Sequence, residues 1–177
     1  MAIRIVGTGR ALPVQEVGNE TLLDFLGPPR KPHGQAITSQ WLEDHFGIHD
    51  RRFDFDFFQG RKLRPEEGGL YDTDLAVEAA TLAMRDAGVV ATDVDCLIHV
   101  SCTPDRDPRC LQNMIALKQR LGLKDDVDLD FENLGCAGLA KGLRYAQIAI
   151  GSGLVKVAVV VASNTTSAQL VKNIYSN

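Results

Sequence analysis

An α/β fold with a parallel sheet covered by helices on both faces is the architecture this sequence predicts. Three observations carry it: strand-like runs rich in Val and Ile alternate with helical patterns of 10 to 15 residues, glycine closes most of those helices, and one strand is apolar without interruption. The composition agrees with an ordinary folded domain, at 177 residues with 45% hydrophobic and 24% charged content. The formal charge of −4 gives no basic field of the kind nucleic-acid binders use. Apolar runs such as 157–162 are too short to cross a bilayer, and the N-terminus lacks the apolar core of a signal peptide. The expectation is a soluble cytoplasmic protein with no nucleic-acid or membrane partner.

Each element follows from local pattern. Residues 2–8 read as a first strand ending in the Gly7-x-Gly9 turn. A dinucleotide cradle is not expected there, because the third glycine is missing and Leu12-Pro13 stands where a helix should begin. A short helix over 20–26 is broken by Gly27, Pro28 and Pro29. Ser39 is placed to cap a helix through Trp41, Leu42 and Phe46 that Gly47 ends. Phe53, Phe55 and Phe57 fall on one side of an extended segment and point to packing. Asp72 and Thr73 can cap a helix to Ala87, with Leu75, Ala79 and Leu82 at helical spacing.

Residues 94–101 then form a strand, Pro108 opens a helix through Leu111, Met114, Ile115 and Leu121, and 127–131 is another strand. A helix over 136–150 follows, apolar nearly all round and therefore expected to be largely buried, with Gly138 and Gly142 allowing close backbone approach. The strand over 155–162 is apolar on both faces and is expected at the centre of the sheet.

Four cysteines occur, Cys96, Cys102, Cys110 and Cys136, without a C-x-x-C pair, and are expected as free thiols. No metal site is expected: Cys96 and Cys102 would face one way from a strand and His99 the other, whereas zinc ligands must converge. Cys136 is different, because a strand turning through Glu132, Asn133, Leu134 and Gly135 into a helix presents its thiol on a sharp turn at a helix N-terminus. There the helix dipole favours a thiolate and backbone N–H groups can stabilise an oxyanion. The residues alone leave two readings open, an activated nucleophile or a packed small hydrophobe.

The run from Asn133 through Gly135, Cys136, Ala137 and Gly138 to Ala146 resembles the active-site segment of the thiolase superfamily, most closely its β-ketoacyl-acyl carrier protein synthase III branch. Other blocks agree in order: Ile5 to Gly9 with Leu12-Pro13, Trp41 followed by Gly47-Ile48 and Arg51-Arg52, Asp74-Leu75-Ala76, Thr103-Pro104-Asp105, and 152–161. The resemblance implies a thiolase-like fold and acyl transfer in which Cys136 takes an acyl group from an acyl-CoA or acyl carrier protein thioester. Condensation with a malonyl thioester would follow, with coenzyme A as substrate and no tightly bound cofactor. An alternative is a relative that passes the acyl group to a hydroxyl, an amine or a β-keto thioester; a third is a non-catalytic subunit.

Trp41 stands where the family places a tryptophan near the adenine of coenzyme A, and also where an amphipathic helix would place a packing anchor. His45 replaces the basic residue expected beside it. Arg51 matches a family arginine, or is a solvated loop charge. The catalytic His and Asn of the family lie in its second half, so His33, His45, His49 and His99 are not assigned to that role. On this resemblance residues 1–177 are an N-terminal half-domain, expected to need the C-terminal half as a separate polypeptide or segment and to act in a homodimer of complete subunits with acyl carrier protein and acyl-CoA.

Overall fold

The computed structural model describes residues 3–102, 107–109 and 111–174. The Thr103-Pro104-Asp105 block, Cys110 and the Tyr175 end of the tail lie outside the described residues. The chain divides into two compact units, Leu12–Leu70 with Thr166–Asn177, and Met1–Ala11 with Tyr71–Thr165.

The first unit contains β1 (Gln15–Gly18), α1 (Asn19–Leu26), α2 (Ser39–Phe46), β2 (Asp50–Phe53), β3 (Phe55–Asp56) and β4 (Arg61–Lys62). β1 pairs antiparallel with β2, and β3 with β4. Its core is aromatic: Phe25 meets the rings of Phe55 and Phe57 edge-on at 5.2 and 5.3 Å, and Phe53 meets Phe57 at 5.6 Å. The alternating phenylalanines therefore pack, as their spacing predicts. α2 starts one residue earlier than expected. Thr38 is its cap, accepting the Trp41 N–H, and Ser39 is already helical. Gly47 closes it at φ 63°, a left-handed conformation that glycine adopts without strain.

The second unit contains α3 (Asp72–Ala87), β5 (Cys96–Val100), α4 (Asn113–Leu121), β6 (Asp128–Glu132), α5 (Gly138–Gly151) and β7 (Ala158–Ala162). The three strands form a parallel sheet in the order β6-β5-β7, with Cys96 opposite Asp128 and Ala158 and Val100 opposite Glu132 and Ala162. Helices cover both faces. Ala76 and Ala80 of α3 and Leu117 of α4 pack with Leu97 and Val161, while Ala146 of α5 packs with Cys96, Ile98 and Val100. Cys96 and His99 thus face opposite sides of β5, as strand alternation requires.

Four further expectations change. Among the described residues 3–13 join no strand ladder: Thr8 donates its N–H to Asp86 at 2.9 Å, and a Cβ at Gly7 or Gly9 would run into the carbonyls of Ala83 and Ala79. The two glycines serve a backbone approach to α3. Among the described strands β5, not β7, is central: all five residues of β5 are buried, whereas in β7 only Val161 is, so the longer apolar run does not mark the middle of the sheet. α4 begins at Asn113 rather than Pro108, since the Asp107 carboxylate accepts the Arg109 N–H in a local turn and leaves Leu111 exposed. α5 buries only Gly138, Gly142 and Ala146, and Leu139, Leu143 and Ile148 are exposed around the rest of its circumference. No helix among the described residues is long and apolar enough to cross a membrane.

Candidate active site

Parallel strands converge their carboxyl ends, and the polar groups of the second unit gather there. The ladder runs past the strand ends, with Ser101 N–H donating to the Glu132 carbonyl and Ser163 N–H to that of Val100. Cys102 follows β5 and donates from both its N–H and its thiol to Asn164 Oδ1 after β7, at 2.8 and 3.0 Å.

β6 ends at Glu132, and the chain then turns through Asn133 and Leu134 into a single 3-10 turn over Gly135–Ala137 before α5 begins. Gly135 has φ 54°, the left-handed conformation that lets the chain reverse so tightly. Cys136 sits at the middle of that 3-10 turn, free and exposed. It therefore precedes the helix by two residues. The N–H groups of Ala137 and Gly138 donate to the carbonyls of Leu134 and Gly135, so these two are engaged in the turn itself. After the turn, Gly138 and Gly142 press α5 against β5: a Cβ at Gly142 would lie 3.1 Å from Val100 Cγ2 and 3.0 Å from Val160 Cγ1.

Trp41 and Arg51 belong to the first unit. Trp41 is half-buried on α2, its ring stacked on His45 with centroids 4.3 Å apart and the Lys31 ammonium 4.9 Å from its centroid. The residue that replaces the expected base therefore lies directly against the tryptophan. Arg51 is a strand residue of β2, not a solvated loop charge. It donates to Asn19 Oδ1, and the buried Asn19 amide donates to the Ile48 carbonyl at 2.6 Å.

One cluster escapes sequence reasoning. His99 is 0% exposed, with Nε2 2.8 Å from Ser163 Oγ and 3.6 Å from Asp72 Oδ2. Both Asp72 oxygens and His99 Nδ1 lack a hydrogen-bond partner among the described residues. Asp72 reads in the sequence as a helix cap, and Ser163 is the polar residue that follows the last apolar strand. Nothing local links groups that meet only through the sheet. Buried alongside, Asp107 accepts from Thr73 Oγ1 and Arg109, whose guanidinium holds its carboxyl well below the usual carboxylate range. The thiol of Cys96 is pushed up to about 11 by burial.

No known family profile matches the chain. Among curated proteins it is 30% identical over 166 residues to the β-ketoacyl-[acyl-carrier-protein] synthase III of Alkalilimnicola ehrlichii, covering 92% of this chain and 43% of that protein. Among solved structures, 3-oxoacyl-[acyl-carrier-protein] synthase III from Aquifex aeolicus superposes with a TM-score of 0.72 at 23% identity, over 93% of this chain and 45% of that one. The priming β-ketosynthase of the R1128 polyketide pathway superposes with a TM-score of 0.71 at 24% identity, over 92% and 42%. The chain spans about half the length of the curated relatives it matches.

Proposed function

The chain is a homologue of the β-ketoacyl-acyl carrier protein synthase III proteins with a thiolase-like fold, and on that premise we propose that it supplies the acyl-accepting cysteine of a condensing enzyme. The observation that carries this reading is the exposed Cys136 on a strand–turn–helix junction at the carboxyl end of a parallel sheet. Its Sγ attacks the carbonyl carbon of an acyl thioester, the bond to the coenzyme A or carrier sulfur breaks, and that thiol leaves with the proton. The acyl group remains on Cys136. A malonyl thioester then loses carbon dioxide, its carbanion attacks the acyl carbonyl, and the Cys136 thiolate is expelled.

Trp41 and Arg51 bind the nucleotide of coenzyme A, the indole offering a flat apolar face to adenine. Residues 1–177 form one half of the catalytic body. The flank of α5 bearing Leu139 and Leu143 packs against the second half, which brings the proton-handling residues and joins in a homodimer served by acyl carrier protein. The test is intact mass after incubation with a panel of acyl-CoA thioesters, with and without malonyl carrier protein. An acyl adduct that maps to Cys136, disappears in Cys136→Ala and is discharged by the malonyl thioester supports the reading. An adduct that persists in Cys136→Ala overturns it. An adduct discharged instead by a hydroxyl, an amine or a β-keto thioester assigns the other acceptor class.

A further inference from the structure

The five residues between Glu132 and Gly138 carry Cys136, and every one of them is exposed. A turn without a buried side chain is not held by its own packing, so its ends must hold it. One end is Gly138, pressed on Val100. The other is Glu132, which is 5% exposed although it carries a carboxylate, a burial that is costly unless the charge is paired. Its Oε2 lies 2.8 Å from Nζ of Lys141, the fourth residue of α5, so that a charge-assisted bond crosses the base of the turn.

Lys141 is placed against the preference of its own helix. A cation in the first turn faces the positive end of the helix dipole, and helix formation alone gives no reason for it. Glu132 gives the reason. The ammonium is further confined by the Tyr145 ring one turn on, 5.2 Å from its centroid. Glu132 also raises the pKa of Lys141, so the ammonium stays charged.

We propose that Glu132 and Lys141 are positioning residues, an ion pair that ties the end of β6 to the first turn of α5 and fixes the orientation of the Cys136 turn between them. The orienting role rests on Cys136 being the acyl carrier. The claim that the pair governs the reactivity of this thiol does not.

The experiment compares Lys141→Met, Lys141→Arg, Glu132→Gln and the double variant Glu132→Gln/Lys141→Met in the purified protein. Two readouts are taken: the limiting rate and half-saturating concentration for acyl loading from acyl-CoA, and the rate of iodoacetamide alkylation mapped to Cys136. Lys141→Met is expected to slow both rates about tenfold, the scale of one lost charge-assisted bond, with the half-saturating concentration unchanged. Lys141→Arg restores both, because it restores the pair. The double variant is less impaired than Lys141→Met, because no unpaired carboxylate remains. Cys136 rates in Lys141→Met equal to those of the parent, or losses equal in the Met and Arg variants, overturn the proposal. If Lys141→Met does not fold, Glu132→Gln against Lys141→Arg decides the same question. A parent protein whose Cys136 alkylates but never takes an acyl group overturns the functional reading alone, and the alkylation rates still decide the ion pair.

Discussion

Gly138 is the residue at which a single methyl group tests the site's architecture. It opens α5, and an added Cβ would fall under 3.0 Å from Val100 Cγ1, closer than real Cβ contacts come. Val100 cannot swing aside, because a β-branched side chain is stiff at χ1 and this one is 3% exposed within the sheet face that α5 covers. Overpacking of this kind costs about 1–3 kcal/mol. Against it stands the gain of replacing glycine in a helix, at most about 1 kcal/mol and smaller at a first helical residue. The net expectation for Gly138→Ala is a loss of about 1–2 kcal/mol, or roughly 2–8 °C in melting temperature for a chain of this size. Gly142→Ala supplies the control. Its Cβ would meet Val160 Cγ1 at 3.0 Å, Val100 Cγ2 at 3.1 Å and Ile98 Cγ2 at 3.4 Å, which asks for shifts of tenths of an ångström and no change of rotamer, and mid-helix it collects the full propensity gain. It is expected near zero.

Urea denaturation followed by circular dichroism reads both variants, and Val100→Ala completes a cycle. In that background the clashing methyl is gone, so Gly138→Ala becomes neutral or mildly stabilising. A Gly138→Ala protein as stable as its parent refutes the reasoning. So does a Gly138→Ala penalty that is unchanged when Val100 is alanine, because the cost would then not arise at that contact.

Three further outcomes are expected. Under native conditions near pH 7.5, iodoacetamide labels the exposed Cys136 and Cys102 while Cys96, buried and pushed up to about 11, stays unlabelled until the protein is unfolded, as peptide mass mapping will show. Asp95 is held down to about 2, chiefly by its bond to Lys124 and then by the N–H groups of Lys156 and Val157. Its contribution to stability is therefore complete above the ordinary carboxylate value near 4 and disappears as pH falls toward 2. Lys124→Met should flatten that part of the acid-melting curve, and an unchanged curve would count against the pairing. Arg51→Met leaves the Oδ1 of buried Asn19 without its donor and should cost about 1–3 kcal/mol in denaturant titrations, even with no ligand present.

The helix ends were legible because their determinants are local. Gly27, Gly47, Gly88 and Gly122 each follow the last turn of a helix with positive φ, and each could be read from its position after an apolar repeat. The Cys136 turn was legible for the same reason, since Gly135 and the small residues after it lie within one stretch of sequence. Sheet order was not. The apolar run before Ala162 and the mixed run around His99 differ in the opposite sense to their positions, and His99 can sit in the central strand because its Nε2 is paired with Ser163 Oγ just past the neighbouring strand. Asp72, His99 and Ser163 could not be joined from sequence, each having an ordinary local explanation.

α5 shows where pattern and structure each tell half. Its sequence is apolar nearly all round, which predicts a helix enclosed on every side. The structure encloses one side through Gly138, Gly142 and Ala146, spaced so that small residues face β5, and leaves Leu139, Leu143 and Ile148 in solvent. The small residues repeat every four positions along one side, and Leu139 and Leu143, also four apart, form a ridge beside them, with Ile148 on the other flank. Two packing surfaces of different depth are therefore written into one helix. The small-residue side lets the backbone approach a sheet already present in this chain. Among the described residues Leu139 and Leu143 stay exposed, and their ridge starts one residue into α5, next to the turn that carries Cys136.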